Sequence, residues 1–593
     1  MEKKRYLIVD LGSTTTKALL FETDGMDVRL LGGADAPTTV EAPYNDVKLG
    51  MFQAVNRLEA SLNLPLSDEK VFLQTNTNAL DGLLATSSAG GGLQMLVIGL
   101  VKGMTAESAE RAALGAGAVI LDVMAQDDGL EMYGRIARIR ELRPDMVLMA
   151  GGIEGGALLD VAVLAESLFK AAPKSRLGAE KIPLIFAGNS ELRPYFENNE
   201  TNMDVRFVEN LRPTLDKENL GPTRKAIQDV FLNHVMTQAP GYAGVQQHVS
   251  APILPTPLAV GKSLQLLAQK RNCNIMSMDI GGATTDVFSV VNGEFHRTVS
   301  ANLGMSYSAM HVLAEAGIEN ILRWLPESMA EADVRDWLHN KMLRPTTLPY
   351  SKESLLVEQA LAKEALRLSL GQHFNLAVAL RGNKPEGDWK QASSEAFGTH
   401  QLFSIRDIDL LIGSGGVISH APEAIQSAMM MIDGFLPLGY TELALDHSFM
   451  LPHAGVFSQV DEAMALKILD TICLEPLGCC IAPTGYGFNQ EKMGKITIKT
   501  KTGPVQQHEL RFGQLHVFPL AAGEEADVDI SGHIKLNYGK GFWKPFHQTI
   551  KGGAVGIIVD LRGRGLRWEK SFSKKRQQSQ AWREQVRVTG RDI

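Results

Sequence analysis

Two segments of the chain repeat the same pattern of apolar and polar positions. Residues 6–21 read YLIVDLGSTTTKALLF, and residues 275–290 read IMSMDIGGATTDVFSV. In each segment an apolar run reaches an aspartate, a turn of glycine and small hydroxyl residues follows, and a second apolar run begins. Apolar runs on either side of such a turn are typical of a β-hairpin. We therefore predict two hairpins whose tips are rich in hydroxyl groups.

A second pair of similar segments follows the two hairpins. The sequences DMVLMAGGIEGG (145–156) and DLLIGSGGVISH (409–420) each predict a strand that runs into a glycine-rich turn and a helix. Asp10 lies 141 residues before Gly151, and Asp279 lies 136 residues before Gly415. This period is far too long for a solenoid repeat. The nearly equal spacing suggests two structurally related lobes.

The rest of the pattern predicts how the chain divides. Residues 93–190 alternate predicted strands and helices, which favours a parallel sheet covered by helices on both faces. Residues 306–400 carry mainly helical patterns, and residues 473–593 are rich in glycine and β-branched residues. We predict a first lobe with an embedded parallel α/β segment, a second lobe with a helical insertion, and a β-rich C-terminal domain with a basic tail. The first lobe would span residues 1–250, with the α/β segment at about 93–215. The second lobe would span residues 251–472, with the helical insertion at about 306–400, and the C-terminal domain would span residues 473–593.

Composition narrows the class of protein. The 593 residues are 45% hydrophobic and 21% charged, as in ordinary globular chains. A net charge of −8 and 6% aromatic residues argue against a basic nucleic-acid binder. The four cysteines are too few for a disulfide framework and lack C-x-x-C spacing. No apolar run approaches the roughly 20 residues that span a bilayer, and the first residues predict no signal peptide. We expect a cytoplasmic protein without membrane or nucleic-acid partners.

The first predicted hairpin tip has the chemistry of a phosphate site. Glycine in a turn allows backbone N–H groups to approach a phosphate without a Cβ in the way. Asp10 ends a strand, where a carboxylate suits hydrated Mg²⁺. Taken alone, this segment is also compatible with an ordinary polar turn. The candidate phosphate-binding residues, with their hydroxyl groups and one cation, are Gly12, Ser13, Thr14, Thr15, Thr16 and Lys17.

The second hairpin strengthens this interpretation, because two such hairpins in one chain can bind a triphosphate from both sides. Asp279 would help position the metal or the attacking water, and Asp286 would either support the groups that contact the ligand or stabilise the turn. The glycine-rich turn at 413–416 would let a purine and its ribose lie against backbone. Neither hairpin is a P-loop, since G-x-x-x-x-G-K-[ST] is not present. The candidate nucleotide-binding residues here are Gly281, Gly282, Thr284, Thr285, Gly413, Gly415 and Gly416.

The ordered set of two hairpins and one glycine-rich turn resembles the phosphate-1, phosphate-2 and adenosine motifs of the actin/hexokinase/Hsp70 superfamily. This resemblance implies an α/β protein with two RNase-H-like lobes that bind ATP and Mg²⁺. It also implies that Asp10 and Asp279 are the catalytic carboxylates, which hold Mg²⁺ through water. One departure is Ala283, where many relatives in the wider superfamily carry a third glycine.

Longer stretches make the resemblance more specific. Within the superfamily, the chain is similar to the MutL-type accessory proteins of adenosylcobalamin-dependent glutamate mutase, which are unrelated to the mismatch-repair protein of similar name. The resemblance implies a chaperone-type ATPase that reactivates a cobalamin mutase by releasing damaged cofactor. The matching stretches, from residue 6 to about 566, are DLGSTTTKALLF, NTNALDGLLATSSAGGGLQM, GLVKGMTAESAERAALGAGAVI, LMAGGIEGG, MDIGGATTDV, LPHAGVFS and GGAVGIIVDLRGRGL.

Two functions of other classes stay open from the sequence. One is a small-molecule kinase of the same fold, in which a substrate hydroxyl attacks the γ-phosphate. No residue of the sequence identifies the substrate base that such a kinase needs. The other is a scaffold that binds nucleotide without turnover, although intact carboxylates in both hairpins argue against it.

Residues 93–215 also resemble cobalamin-binding domains in the order of their strands and helices. Those domains carry a D-x-H-x-x-G turn whose histidine ligates cobalt, whereas the corresponding turn here, GLVKGMTAE (99–107), has neither Asp nor His. We hypothesise that this segment imitates the cobalamin subunit of the mutase and displaces it. The equal spacing of the motifs favours an alternative, in which the segment completes the sheet of the first lobe. Five parallel strands in a separate sheet would favour imitation.

Overall fold

A computed structural model gives the fold of most of the chain. The chain divides into two compact units. The first unit is made of Met1–Leu267, Val378–Leu402 and Leu451–Ile472. The second unit is made of Ala268–Ala377, Phe403–Met450 and Cys473–Ile593. The structure describes residues 3–12, 14–40, 43–66, 80–88, 93–175, 181–199, 201–231, 240–376, 403–501 and 503–586.

The first hairpin lies in a mixed sheet of the first unit. Strands β1 and β2 are antiparallel, β3 extends this meander, and β4 and β10 lie parallel to β1 on its other side. Over the described residues the order is β10-β4-β1-β2-β3. The strands are β1 (Lys4–Leu11), β2 (Thr15–Thr23), β3 (Val28–Pro37), β4 (Gly82–Ser87) and β10 (Leu254–Pro255).

Alternation along β1 explains where its aspartate points. Leu7, Val9 and Leu11 belong to one apolar core with helix α1 (Val47–Leu62). Successive side chains of a strand point to opposite faces, so Asp10 is on the face away from that core. The helix presents buried residues at helical spacing to the sheet.

A separate parallel sheet occupies residues 94–207 of the first unit. Its order is β6-β5-β7-β8-β9, and each neighbouring pair is parallel. This is the doubly wound order 2-1-3-4-5, in which ligands approach the carboxyl ends of the strands. The strands are β5 (Gln94–Gly99), β6 (Val119–Ala125), β7 (Met146–Met149), β8 (Ile182–Phe186) and β9 (Met203–Phe207).

The second unit repeats the sheet order of the first hairpin's sheet. Strands β11, β12 and β13 form an antiparallel meander, and β14 and β15 continue the sheet parallel to β11. In the described part of the chain, three further strands extend this sheet. The strands, in sheet order, are β13 (Glu294–Ser300), β12 (Thr285–Val291), β11 (Ile275–Ile280), β14 (Leu410–Ser414), β15 (Gly439–Asp446), β16 (Leu474–Ala482), β24 (Gly556–Asp560) and β20 (Leu515–Phe518).

Both predicted hairpins are confirmed, but the motif spacing misled us about their neighbours. The parallel partner of β11 is β14, whereas the parallel partner of β1 is β4 and not β7. Gly151 and Gly415 are therefore not corresponding positions. A strand that runs into a glycine-rich turn and a helix is common to all parallel α/β units, so the similar spacing was coincidental.

The C-terminal residues contribute β-structure of two kinds. Some strands extend the large sheet, and the remainder form an antiparallel sheet of order β19-β18-β21-β23 and a short pair, β17 with β22. The apolar faces of these strands share one core. They are β17 (Thr484–Gly485), β18 (Lys492–Thr500), β19 (Gln506–Arg511), β21 (Glu525–Ile530), β22 (Leu536–Asn537) and β23 (Phe546–Lys551).

Helices cover these sheets. Among the described residues, no helix is both long and apolar enough to cross a membrane. The predicted helical insertion corresponds to α9–α12, and its end at 377–400 lies outside the described residues. The α-helices that follow α1 in the described part of the chain are α2 (Glu107–Gly115), α3 (Met132–Leu142), α4 (Leu159–Ala171), α5 (Arg193–Asn198), α6 (Leu220–Val230), α7 (Tyr242–Gln246), α8 (Thr256–Arg271), α9 (Ala309–Ala316), α10 (Ile318–Leu322), α11 (Glu331–Leu343), α12 (Lys352–Leu376), α13 (Gly416–Ser419), α14 (Ala424–Phe435), α15 (Leu451–Phe457), α16 (Glu462–Ile468) and α17 (Phe572–Val586).

Candidate functional site

The tip of the first hairpin is a tight turn held by the residue that follows β3. The Gly12 N–H donates to the Thr15 carbonyl over 3.1 Å. A Cβ on Gly12 would lie 2.4 Å from that carbonyl oxygen, so only glycine fits here. The Thr38 hydroxyl donates to the Gly12 carbonyl over 2.8 Å, and the Thr38 N–H donates to the Thr14 carbonyl over 3.0 Å. The tip is therefore a fixed backbone frame.

Asp10 is held by two hydroxyl groups from distant parts of the chain. Thr86, at the end of β4, and Thr256, at the start of α8, each donate to Asp10 Oδ1 over 2.7 Å. The three residues meet because β1, β4 and β10 are parallel and end at the same edge. Burial raises the pKa of the Asp10 carboxyl, while the two hydroxyl hydrogen bonds and the charge of Lys17 oppose the rise.

The other candidate residues of this tip fall into two groups. Thr14 and Thr15 are exposed, and Lys17 is half-buried in β2 opposite Asp10. The Thr16 side chain is buried and shares a 2.9 Å hydrogen bond with the Thr38 hydroxyl, so it supports the frame. Ser13 lies outside the described residues.

The second hairpin has the same turn and the same kind of support. The Gly281 N–H donates to the Thr284 carbonyl over 2.9 Å. The carbonyls of Gly281 and Gly282 accept N–H bonds of 2.9 Å from the segment after β13, and the Ser308 hydroxyl donates to the Ala283 carbonyl over 2.7 Å. Because phosphate oxygens accept hydrogen bonds, phosphate recognition at the tip would use backbone amides, while these carbonyls hold the frame. Ala283 fits this frame, so the departure from a third glycine is accommodated.

The acidic residues of the second hairpin have different environments. Asp279 is half-buried at the end of β11. Asp286, its cross-strand neighbour, forms an ion pair of 2.8 Å with the buried Arg297 of β13. This pairing joins β12 to β13, so the turn-stabilising role of Asp286 stays a prediction. The buried Thr285 hydroxyl donates to the Leu303 carbonyl, so this residue also supports the frame.

The glycine-rich turn at 413–416 lies directly beside the second hairpin. In the parallel pair β11 and β14, Asp279 is opposite Ser414. Gly415 has a φ of +95°, and a Cβ there would lie 2.3 Å from the Ile280 carbonyl oxygen. Gly413 packs under Ile418 and Met431 inside the unit.

Gly416 is the open position of this turn. A Cβ on Gly416 would have no atom within 4 Å, unlike Cβ atoms on Gly413 or Gly415. A substitution at Gly415 would disturb β11, so its effect could not be assigned to a nucleotide contact alone. A substitution at Gly416 would test such a contact without this collision.

The sequence did not identify Thr86 and Thr256, which contact Asp10. A signal for Thr86 exists, because LLATSS places hydroxyl residues at the end of an apolar run. Thr256 follows a strand of only two residues, so nothing in its local pattern marks it.

The donor groups suit a magnesium nucleotide better than a metal held by protein alone. Among the described residues, no group of three or more His, Cys, Asp or Glu side chains could hold a metal ion. Mg²⁺ with ATP needs only one or two carboxylates, since water and phosphate oxygens supply the other ligands. Asp10, beside a glycine turn of the first unit, fits that requirement, and so does Asp279, beside a glycine turn of the second unit.

Comparison of the sequence with protein families decides the relationship. The family described as MutL protein matches residues 6–473. The chain belongs to this family. Protein MutL of Clostridium tetanomorphum is 28% identical over 496 residues, which cover 78% of this chain and 98% of that protein. The family resemblance stated from the sequence motifs is confirmed.

Solved structures show weaker similarity. Nucleotide-free acetone carboxylase is 11% identical, with 86% of this chain and 81% of that chain covered and a TM-score of 0.31. Gluconate kinase from Lactobacillus acidophilus is 9% identical, with 81% and 93% covered and a TM-score of 0.31. Component A of (R)-2-hydroxyglutaryl-CoA dehydratase from Acidaminococcus fermentans is 8% identical, with 78% and 99% covered and a TM-score of 0.24. The fold class rests on the strand order: α/β, with the RNase-H-like sheets of two-lobed actin-like proteins.

Proposed function

We propose that the protein is an ATP-dependent reactivating chaperone for an adenosylcobalamin-dependent mutase, with glutamate mutase as the expected partner. ATP hydrolysis would be coupled to release of damaged cobalamin. Family membership supports the mutase partner. The observation that carries the ATPase part is the buried Asp10, oriented by Thr86 and Thr256 beside a glycine turn.

In this proposal the two hairpins have separate tasks. At the first tip, backbone amides with Thr14, Thr15 and Lys17 bind phosphate oxygens. Bound Mg²⁺ would neutralise phosphate charge, and Asp10 would hold it through water. The two threonine hydroxyls stabilise the charged form of Asp10 and fix the direction of its carboxylate.

The second hairpin and its neighbouring turn supply the other contacts. Amides near Gly281 and Gly282 bind phosphate, and Asp279 orients the attacking water or the hydrated metal. Gly416 lies against the adenosine. Asp286 contributes indirectly, because its ion pair with Arg297 fixes the strand that carries the turn.

We further propose that the parallel sheet imitates the mutase's cobalamin subunit. Its strand order separates it from the first hairpin's sheet, which is the topology that favours imitation. Residues 93–215 contain no histidine, so this segment has no imidazole for cobalt. The turn after β5 is filled by its own chain: Thr105 Oγ1 accepts N–H bonds from Leu100 and Val101, and a Cβ on Gly99 would collide with Ala106.

The proposal is tested with purified protein and purified mutase. Basal ATP turnover is expected to be low, and mutase carrying damaged cobalamin is expected to stimulate it and to regain activity. Addition of excess cobalamin subunit should weaken binding of the chaperone to the catalytic subunit. Transfer of labelled phosphate to a metabolite would instead show a kinase. Nucleotide binding without any turnover would show a scaffold.

A further inference from the structure

Five large apolar side chains are exposed together on the C-terminal part of the second unit. They come from two segments, 484–492 and 531–546, and are between 49% and 79% exposed. Among the described residues, every exposed phenylalanine and tryptophan belongs to this group. We name it the aromatic patch, and its members are Tyr486, Phe488, Ile534, Phe542 and Trp543.

Backbone contacts join the two segments into one surface. The Tyr486 N–H donates to the Lys535 carbonyl over 3.2 Å, and the Trp543 N–H donates to the His533 carbonyl over 3.2 Å. The Lys535 Nζ lies 5.8 Å from the ring centre of Tyr486 and 5.3 Å from that of Phe488. Exposed apolar patches of this kind mark interaction sites on monomeric proteins.

The patch is held in a fixed shape rather than carried on a loose loop. Trp543 has a φ of +68°, a conformation that is unfavourable for a bulky side chain. Asn537 Oδ1 accepts N–H bonds of 2.8 Å from Gly539 and Gly541, and a Cβ on Gly532 would lie 2.1 Å from the Trp543 carbonyl oxygen. A strained backbone that displays an exposed tryptophan is typical of a functional site.

The rim of the patch is basic. The two segments contain four lysines, Lys492, Lys535, Lys540 and Lys544, and one acidic residue, Glu491. Lys535 pairs with Glu491, and Lys492 pairs with Glu509. Lys540 and Lys544 are exposed and form no ion pair within the described part of the chain. An apolar centre with a cationic rim complements a protein face with an apolar centre and carboxylates around it.

The rest of the chain argues against two other occupants. A net charge of −8 repels the continuous negative charge of a nucleic acid or an anionic bilayer. Rings held in one geometry do not increase affinity for a fluid lipid surface, whereas they do increase affinity for a protein partner of complementary shape.

We propose that the aromatic patch docks an acidic-rimmed face of the mutase, and that this contact transmits the mutase's stimulation of ATP hydrolysis. The inference rests on the proposed function for the identity of the partner. Trp543 and Phe488 serve as anchors, since buried aromatic side chains dominate the energy of protein interfaces. Lys540 and Lys544 set the orientation and the rate of association.

The test compares three variants of the full chain with the wild type. Phe488→Ala combined with Trp543→Ala should weaken binding to purified mutase by at least about tenfold. Lys540→Glu combined with Lys544→Glu should weaken binding and reduce its salt dependence. Both should lose mutase-stimulated ATP turnover and keep basal turnover. Tyr350→Ala removes a ring that is 83% exposed in another segment and should bind like the wild type.

Each other outcome has a definite meaning. Wild-type affinity in both patch variants overturns the inference but leaves the proposed function intact. Patch-dependent binding to vesicles with anionic lipid or to a single-stranded oligonucleotide, equal to that for mutase, overturns it in favour of those partners. No binding of wild type to mutase overturns the proposed function and this inference with it. If the alanine variant loses basal turnover through misfolding, the lysine variant decides.

Discussion

The two hairpins have one frame and two different electrostatic environments. Both turns close with the same N–H to carbonyl bond, Gly12 to Thr15 and Gly281 to Thr284, and both are supported by residues that follow the third strand of the meander. At corresponding cross-strand positions, however, the first hairpin has Lys17 and the second has Asp286.

The neighbouring parallel strand differs as well. Thr86 donates its hydroxyl hydrogen bond to Asp10. At the corresponding place beside Asp279, the Ser414 hydroxyl is buried and has no hydrogen-bond partner among the described residues. The shared features belong to the backbone and the differing ones to the carboxylates. The comparison teaches that the backbone frame is duplicated, whereas the electrostatic surroundings of the two carboxylates are not.

The largest effect on stability is expected from the Asp286 ion pair. Asp286→Asn removes the charge of Asp286 from its ion pair with the buried Arg297 guanidinium, which costs on the order of 3 kcal/mol in the free energy of unfolding. Lys17→Met at the corresponding position should cost under about 1 kcal/mol, because Lys17 is half-buried. Denaturant unfolding of both variants measures this difference, and equal losses would contradict it.

The two turn glycines should also differ. A Cβ at position 12 meets the Thr15 carbonyl oxygen at 2.4 Å, whereas a Cβ at position 281 meets the Thr284 carbonyl oxygen at 3.3 Å. Gly12→Ala should therefore destabilise the protein by about 2–3 kcal/mol, and Gly281→Ala by under about 1 kcal/mol. Thermal unfolding checks this order, and an equal or larger loss of stability in Gly281→Ala would contradict it.

The sequence predicts what is local and misses what depends on distant register. Each hairpin is encoded within sixteen residues, so alternation and turn composition were enough to find it. Thr86 and Thr256 reach Asp10 across 76 and 246 residues, through parallel pairings whose register no local pattern specifies.

The segment around Gly151 led to the opposite error, because the sequence suggested a correspondence that the structure does not have. Gly151 looked like the counterpart of Gly415 because strand, glycine turn and helix recur in every parallel unit. The true counterpart of β14 is β4, which ends in the hydroxyl residues Thr86 and Ser87 instead of running directly into a glycine. The alternation in 93–215 did predict the parallel sheet, since its three central strands are buried on both faces and the strands follow one another at helix-length intervals.

Removal of either hairpin carboxylate should slow ATP turnover. Asp10→Ala and Asp279→Ala are each expected to lower turnover well over tenfold, on the order of 2 kcal/mol in the barrier. Glu294→Gln, which changes an exposed carboxylate of β13, is the control and should leave turnover unchanged. Steady-state kinetics measure all three. If one aspartate variant keeps wild-type turnover, the catalysis belongs to the other hairpin alone.

A substitution at Gly416 tests the proposed adenosine contact by itself. Gly416→Val adds a branched side chain where the protein leaves open space, so it should raise the KM for ATP about tenfold and leave the unfolding temperature unchanged. Gly415→Ala is the matched comparison and should lower the unfolding temperature, because its Cβ would collide with Ile280. An unchanged KM in Gly416→Val would remove this turn from the proposed nucleotide site.

The smallest effect tests the hydroxyl groups that distinguish Asp10. Burial raises the Asp10 pKa above its ordinary 3.8, and the hydrogen bonds from Thr86 and Thr256 limit that rise. Thr256→Val should raise the Asp10 pKa further, because it removes one of the hydroxyl hydrogen bonds that stabilise the charged carboxylate. Because the folded state then binds its proton more tightly than the unfolded state, the variant's deficit in unfolding free energy should be small below pH 3.8. It should grow as the pH rises through the folded-state pKa and stay constant above it. The acidic limb of the turnover profile should move to higher pH by the same amount.

Ser414→Ala removes the corresponding hydroxyl of the second unit, which makes no such bond, and its profile should match the wild type. An unshifted limb in Thr256→Val would mean that ionisation of Asp10 does not limit turnover.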